Sequence, residues 1–189
     1  MTTDSWTQSF ARQLKSGIIA IDGPSGAGKS TFADSLVREL DTLGTPVVLI
    51  RTDDFATWDD PVGWWPELDD DVLRSYWRGH DFRYHPRVWV DGTAQRGPRV
   101  WLRWEPLLII EGVSSARAPV RKQLEHALWL DGGTEAERLE RGVARDGEDQ
   151  RENLSRWQDF ERGWFAVDQT RAYCEIVPAS VLQDQQEAM

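Results

Sequence analysis

Residues 17–30, GIIAIDGPSGAGKS, decide the fold of this chain. The first six residues form a short apolar run, which predicts a strand buried on both faces of a sheet. The next eight fit the pattern G-x-x-x-x-G-K-[ST], placed between a strand and a helix. In such a loop successive backbone N–H groups face one anion, and the positive end of the helix dipole adds to their effect. The stretch therefore predicts a phosphate-binding loop.

This loop supplies the candidate nucleotide-binding residues. The Lys29 ammonium would reach the β- and γ-phosphates, and the Ser30 hydroxyl is a natural ligand for Mg²⁺. The full set of candidates in the loop is Gly23, Ser25, Gly26, Ala27, Gly28, Lys29, Ser30 and Thr31. A Gly-rich turn that binds nothing is the alternative interpretation, and the flanking strand and helix argue against it.

Four further apolar runs follow, and helical periodicity separates most of them. The helix after the loop places Phe32, Leu36, Leu40 and Leu43 on one face and stops at Gly44. Strands buried on both faces that alternate with helices indicate an α/β fold with a parallel five-stranded sheet and helices on both faces, in three layers. The runs lie at 46–51, 106–112, 126–131 and 172–177.

Length and charge limit the classes of function. A chain of 189 residues fits one domain, 1–189. Its 32 acidic and 22 basic residues give a net charge of -10, which argues against a nucleic-acid polymer or an anionic membrane as partner. The apolar runs are too short to cross a bilayer, and the single Cys174 suits a reducing compartment, so we expect a cytoplasmic protein.

Acidic residues follow two of the predicted strands. Asp53 and Asp54 follow the apolar residues of VVLIRTDDFATW (47–58), and Glu111 follows those of LLIIEG (107–112). Ligands of parallel sheets bind at the carboxyl ends of the strands, so these acids should lie near the phosphate loop. Glu111 has the place of a Walker B acid, and Ser30, Glu111 and Asp53 are the candidate Mg²⁺ ligands. Asp53 could also take a proton from an attacking hydroxyl. Acids exposed to solvent are the alternative.

The order of motifs resembles a known family. The segments IDGPSGAGKSTFA, RTDDF, LLIIEGV and RLERGVARDG are similar to those of the uridine kinase-like P-loop kinases, which include phosphoribulokinase and pantothenate kinase. The resemblance covers roughly residues 17–177. No lysine is followed by Asp two residues later, as the guanine-reading N-K-x-D motif of Ras-type GTPases requires.

The resemblance implies a kinase that uses ATP and Mg²⁺ to phosphorylate a small-molecule alcohol. It assigns Asp53, in the D-x-F motif, as catalytic base and places a lid at about 134–150. Lid arginines that close over the phosphates would be Arg138, Arg141 and Arg145, with Lys29 as a further catalytic residue. An exposed helix of Glu/Arg ion pairs is the alternative for each arginine. The chain has D-D-F-A where the family has D-S-F-Y.

The resemblance also implies that a Trp-rich insertion at about 55–105 holds the phosphate acceptor. The sequence predicts one helix in it at 66–77 and a hairpin around 91–97. Aromatic faces stack on planar bases, so we expect a nucleoside such as uridine or cytidine. Packing in the core is the alternative for each tryptophan. The candidate acceptor residues are Asp54, Trp58, Tyr84, His85, Arg87 and Trp89.

Two alternatives to a nucleoside kinase remain open. The acceptor could be another alcohol, such as a sugar, a vitamin precursor or an antibiotic, or the protein could be an ATP-binding regulatory ATPase. The sequence leaves open whether the chain is a monomer or a homo-oligomer. Glu161 and Arg162 fit ion pairing on a helix surface, and a contribution to the acceptor or lid side is the alternative. Cys174 fits an inert buried thiol.

Overall fold

A parallel sheet lies at the centre of the computed structural model, which describes residues 5–90 and 93–181. Five strands form it in the order β2-β7-β1-β8-β9, and all their pairings are parallel. This confirms the predicted α/β architecture. The strands of the described residues are β1 (Gly17–Asp22), β2 (Val47–Arg51), β3 (Phe82–Tyr84), β4 (Arg87–Val90), β5 (Thr93–Arg96), β6 (Val100–Leu102), β7 (Leu107–Glu111), β8 (Leu124–Trp129) and β9 (Glu175–Ile176).

Alternate side chains of the sheet face two hydrophobic cores. On one face Ile19 and Ile21 pack among residues of the first two helices, while Ile18 points into a second core on the other face. Helices therefore cover both faces, as predicted. They are α1 (Trp6–Ala11), α2 (Lys29–Thr42), α3 (Trp65–Leu68), α4 (Arg74–Tyr76), α5 (Glu135–Asp146), α6 (Arg151–Asp168) and α7 (Thr170–Tyr173).

The fifth strand is shorter than the apolar run at 172–177 predicts. Residues up to Tyr173 belong to α7, and only Glu175 and Ile176 pair with β8. Cys174, between the two elements, is half-buried rather than buried in a strand, and its burial raises the pKa of the thiol to about 12. A raised pKa leaves little reactive thiolate, which agrees with the prediction of an inert thiol.

The Trp-rich insertion covers the second face of the sheet. Its helical part, predicted at 66–77, consists of α3, a π-helical turn at Asp69–Leu73 and α4. The predicted hairpin is present as two antiparallel pairs, β3 with β6 and β4 with β5. The tip at 91–92 lies outside the described residues. So does most of SVLQDQQEAM (180–189), for which the sequence predicts a frayed tail or a final short helix.

Part of the tryptophan crowding is explained by packing. Trp64 is buried in the second core, and its indole N–H donates to the carbonyl of Pro61 at 2.8 Å. The Trp104 indole N–H donates to the carbonyl of Tyr76 at 3.0 Å. Both indoles therefore bury their apolar surface and still satisfy their polar atom.

The Tyr76 hydroxyl joins the insertion to the sheet. It lies 2.7 Å from the carbonyl oxygen of Pro106 and 3.1 Å from that of Gly17. We expect Tyr76→Phe to lower the free energy of unfolding by about 1 kcal/mol, because buried acceptors lose their donor. Urea unfolding measures this. Tyr173→Phe is the control, since that side chain is 64% exposed; equal losses in the two variants would contradict the prediction.

Candidate active site

The phosphate loop connects β1 to the amino end of α2. Gly26 has a φ of 72°, and a Cβ there would lie 2.5 Å from the carbonyl oxygen of Arg138 on α5, within the predicted lid. Helix α5 therefore approaches the loop too closely for a side chain at this position. The loop lines a cavity of about 690 Å³, which we call the loop cavity. Its lining includes Ser25, Gly26, Ala27, Gly28, Lys29, Ser30 and Thr31, whereas Gly23 is not part of it.

Lys29 and Ser30 are the first residues of α2 and face polar groups of the loop and the sheet. The Lys29 side chain is largely buried, and its ammonium donates to the carbonyl of Pro24 at 3.0 Å. The Ser30 hydroxyl donates to Glu111 Oε1 at 3.2 Å. Both donors therefore lie at the loop where the sequence predicts phosphate and metal binding.

Glu111 lies at the carboxyl end of β7, directly beside β1 and β2. It is 4% exposed, and burial raises the pKa of its carboxyl to about 7, while the positive charge of Lys29 acts in the opposite direction. Arg51 Nε lies 3.9 Å from its Oε2. Burial is costly for the charged form of a carboxylate, so a cation bound beside Glu111 would favour its ionised form.

The structure brings together two of the three candidate Mg²⁺ ligands, Ser30 and Glu111, and the third, Asp53, lines the same cavity. No cluster of three or more His, Cys, Asp or Glu side chains that could hold a metal occurs among residues 5–90 and 93–181. Mg²⁺ beside phosphates is commonly held by one or two carboxylates and the phosphates themselves. The oxygen pair of Ser30 and Glu111 fits that chemistry.

Asp53 and Asp54 have different environments, although they are adjacent. Both belong to the 3-10 turn that follows β2. Asp53 is exposed and lines the loop cavity. Asp54 is half-buried and accepts a hydrogen bond from the Tyr84 hydroxyl at 2.6 Å, and burial raises the pKa of its carboxyl. Of the two acids, Asp53 is therefore the one that lines the loop cavity.

Gly112 fixes the position of this turn against β7. Its φ is 134°, and a Cβ at this position would lie 1.9 Å from the hydroxyl oxygen of Thr52. Thr52 immediately precedes Asp53, so the close approach sets the distance between the Asp53 turn and the strand that ends in Glu111.

A second cavity of about 410 Å³ lies next to the loop cavity, and we call it the aromatic cavity. The Trp58 ring lies 5.3 Å from that of Trp89 and 5.5 Å from that of Trp157, edge to face in the second pair. The sequence identified Trp58 and Trp89 but not Trp157, which comes from the Arg- and Glu-rich helix α6. The lining is Ser25, Asp53, Ala56, Trp58, Trp89, Arg145, Asp146, Gln150, Leu154 and Trp157.

Four of the acceptor candidates lie outside the linings of both cavities, and Asp54, described above, is one of them. Tyr84 is buried and stacks on Phe55. His85 Nδ1 lies 3.0 Å from the carbonyl oxygen of Gly97 within the hairpin. Arg87 pairs with Glu67 at 2.6 Å. These contacts hold the insertion together, and binding of an acceptor by these residues stays a prediction.

The predicted lid arginines project from α5, and each has different partners. Arg138 Nη1 donates to the carbonyls of Asp131 and Gly133. Arg141 lines the loop cavity, and its Nε donates to the carbonyl of Gly26 at 2.9 Å.

Arg145 is the lid arginine that faces both cavities. Its guanidinium forms two hydrogen bonds of 2.6 Å with the neighbouring Asp146. The hydrogen bonds that it donates to Asp146 raise its pKa, and the charges of Asp53 and Glu111 act in the same direction. Its guanidinium is therefore paired with Asp146 at the edge of both cavities.

The prediction of a surface role was wrong for Glu161 and is confirmed for Arg162. Glu161 is 1% exposed and accepts a hydrogen bond from the Ser25 backbone N–H at 2.9 Å. Arg162, the next residue, pairs with Glu135 at 2.8 Å on the exposed side of α6. Helical spacing gave no signal here, because the loop that Glu161 contacts is 136 residues away in the sequence.

Proteins similar to this chain are found among solved structures. A scan against protein-family models finds no match, and neither does a search of curated proteins. In the described residues no helix is long and apolar enough to span a membrane.

Two solved structures with provisional names are similar to the chain. A uridine kinase from Bacillus stearothermophilus has a TM-score of 0.61 at 17% identity, over 90% of this chain and 96% of that one. A fructose transport system kinase from a Silicibacter species has a TM-score of 0.54 at 18% identity, over 93% of this chain and 100% of that one. The chain therefore has the fold of the uridine kinase-like P-loop kinases.

Proposed function

We propose that this protein is an ATP- and Mg²⁺-dependent kinase that phosphorylates a small alcohol. One observation carries the proposal: Asp53 and Arg145 line both the loop cavity and the aromatic cavity. A base and a fixed positive charge at the junction of two cavities are what phosphoryl transfer between two bound molecules requires.

The loop cavity has the groups that a nucleoside triphosphate needs. The backbone N–H groups of the loop, the amino end of α2 and the Lys29 ammonium would bind the phosphates. At another side of the cavity, Ile176 and Pro178 provide apolar surface for a base. Mg²⁺, held by Ser30 and Glu111, would neutralise phosphate charge when bound.

The roles of the residues at the junction follow from their positions. The carboxylate of Asp53 would accept the proton of the acceptor hydroxyl. The oxygen of the acceptor hydroxyl would then form a bond to the γ-phosphorus, while the bond from the γ-phosphorus to the β–γ bridging oxygen breaks and ADP leaves. Arg145 would stabilise the charge on the transferring phosphoryl group, and Arg141 would help to hold the lid on the loop.

A nucleoside, uridine or cytidine, is the acceptor that we propose. Trp58, Trp89 and Trp157 present aromatic rings in one cavity next to Asp53. Base stacking on such a ring contributes about 1–3 kcal/mol per base. The name of the Bacillus neighbour supports the same class of acceptor, although its identity to this chain is only 17%.

Another small alcohol, such as a sugar, is the second candidate. The Silicibacter neighbour is named for fructose transport, and sugars also bind against tryptophan faces with hydrogen bonds from groups such as Asp146 and Gln150 in this cavity. Release of ADP from Mg²⁺-ATP in the presence of nucleosides, sugars and pantothenate-like alcohols separates the candidates. If no alcohol raises ADP release above the blank, the kinase proposal is overturned in favour of a regulatory ATPase.

Removal of the Trp89 ring from the aromatic cavity should weaken binding of the acceptor and leave binding of ATP unchanged. For the alcohol found in that screen, we expect Trp89→Ala to raise KM at least about fivefold, the equivalent of 1 kcal/mol of stacking, with KM for ATP unchanged. Trp101→Ala is the matched control, because this tryptophan is 63% exposed and outside both cavity linings. An unchanged acceptor KM in Trp89→Ala would show that the aromatic cavity does not bind the acceptor.

A further inference from the structure

Glu161 is a buried carboxylate with its hydrogen bonds directed at the phosphate loop. One of its oxygens accepts from the Ser25 backbone N–H at 2.9 Å, and the other accepts from the Ser25 hydroxyl. Burial raises the pKa of this carboxyl, and the positive charge of Lys29 opposes that shift. Burial of an acid is unfavourable unless its oxygens are hydrogen-bonded, and here the hydrogen bonds from Ser25 supply part of that compensation.

The same carboxylate also contacts the wall of the aromatic cavity. The Trp157 indole N–H donates to Glu161 Oε1 at 2.5 Å, one helical turn earlier on α6. The Trp157 ring in turn meets Trp58 edge to face across that cavity. A continuous set of contacts thus runs from the aromatic wall through Glu161 to the phosphate loop.

Ser25 is the residue where this set of contacts ends, and it lines both cavities. A shift of Ser25 would therefore change the surface that faces the phosphates and also the surface that faces a molecule in the aromatic cavity. A loop that is already held in its binding conformation pays less ordering entropy when the phosphates bind.

We propose that Glu161 is a positioning residue for the phosphate loop and that Trp157, a wall of the acceptor cavity, sets the position of Glu161. The inference rests on the proposed function, because it takes the loop cavity as the nucleotide site. Its consequence is that the shape of the acceptor cavity and the affinity for nucleotide are coupled through one buried carboxylate.

A double-mutant cycle with Mg²⁺-ADP as probe tests the proposal. We expect Glu161→Ala to weaken Mg²⁺-ADP affinity about tenfold. Trp157→Phe, which keeps an aromatic ring but removes the indole N–H, should weaken it about threefold. The double variant should bind no more weakly than Glu161→Ala, because Trp157 acts through Glu161. Glu161→Gln should fall between wild type and Glu161→Ala, since its amide oxygen still accepts from the Ser25 N–H.

Two control variants on α6 separate this role from general effects. Trp164→Phe removes a buried indole N–H that has no hydrogen-bond partner among the described residues. Asp159→Asn removes an exposed acid that pairs with Arg162 on the same helix. Both should keep wild-type affinity for Mg²⁺-ADP. Thermal unfolding of every variant, with hydrogen exchange of the loop amides, shows whether the fold is intact.

The outcomes are distinct from those of the kinase test. Additive effects of Glu161→Ala and Trp157→Phe in the double variant would overturn the proposal. So would an unchanged or a tighter affinity for Mg²⁺-ADP in Glu161→Ala and Glu161→Gln. Tighter binding would mean that the acid repels the phosphates. Because Mg²⁺-ADP binding needs no acceptor, the cycle can succeed even if every alcohol fails in the ADP-release screen. That combination would count against the proposed function alone.

Discussion

Replacement of Asp53 with asparagine is expected to lower the rate of phosphoryl transfer by roughly 10²–10⁴, because the acceptor hydroxyl loses its base. Affinity for Mg²⁺-ADP should change little, since the side chain is exposed at the junction of the cavities and the loop contacts remain. Steady-state kinetics with the alcohol found in the ADP-release screen, together with Mg²⁺-ADP titration, measure both quantities.

Asp54→Asn is the matched control for this prediction. Asp54 is half-buried and accepts the Tyr84 hydroxyl at 2.6 Å, and an asparagine oxygen can accept the same hydrogen bond. We therefore expect its loss of rate to be below about tenfold. Equal losses in the two variants would show that the adjacent acids are not distinct in function.

Replacement of Arg145 with alanine is expected to lower the transfer rate by about 10³, at the lower end of what a fixed arginine contributes at a transferring phosphoryl group. Of the three predicted lid arginines, Arg145 lines both cavities. Arg138 donates to the carbonyl of Gly133, and Arg141 donates to the carbonyl of Gly26 in the phosphate loop. Single-turnover kinetics measure the loss in the chemical step.

Two further variants make the Arg145 prediction specific. Arg145→Lys should recover part of the rate, because lysine keeps the charge but lacks the planar fork. Arg162→Ala removes an exposed arginine that pairs with Glu135 and Asp159, and it should retain the wild-type rate. A loss in Arg162→Ala as large as that in Arg145→Ala would mean that net charge, rather than position, explains the effect.

The predictable part of the candidate site lies in segments where the local pattern is specific. The G-x-x-x-x-G-K-[ST] spacing with its flanking strand and helix was enough to locate Lys29 and Ser30. The apolar run ending in Glu111 was enough to place that acid at the same sheet edge. The pair of acids at 53–54 was also located, and the sequence favoured Asp53 as the base.

The unpredicted part consists of contacts between distant segments. Trp157 resembles any helical residue in an Arg- and Glu-rich stretch, and it enters the aromatic cavity only because α6 packs against the insertion. Glu161 matches a surface ion pair by spacing, yet the fold buries it against a loop 136 residues earlier. Helical periodicity gives the face on which a residue lies and does not give the partner that this face meets.

The sequence by itself determined the parallel α/β sheet, the phosphate loop and the acids at the strand ends, because each depends on short-range chemistry: strand hydrophobicity, glycine turns and the polarity of strand ends. The tertiary structure decided which side chains share a cavity. It separated Asp53 from Asp54 by pairing the second with Tyr84, selected Arg145 among three lid arginines, and placed Glu161 on the phosphate loop. Those choices depend on how α5, α6 and the insertion pack together, and packing between distant segments has no signature in local spacing.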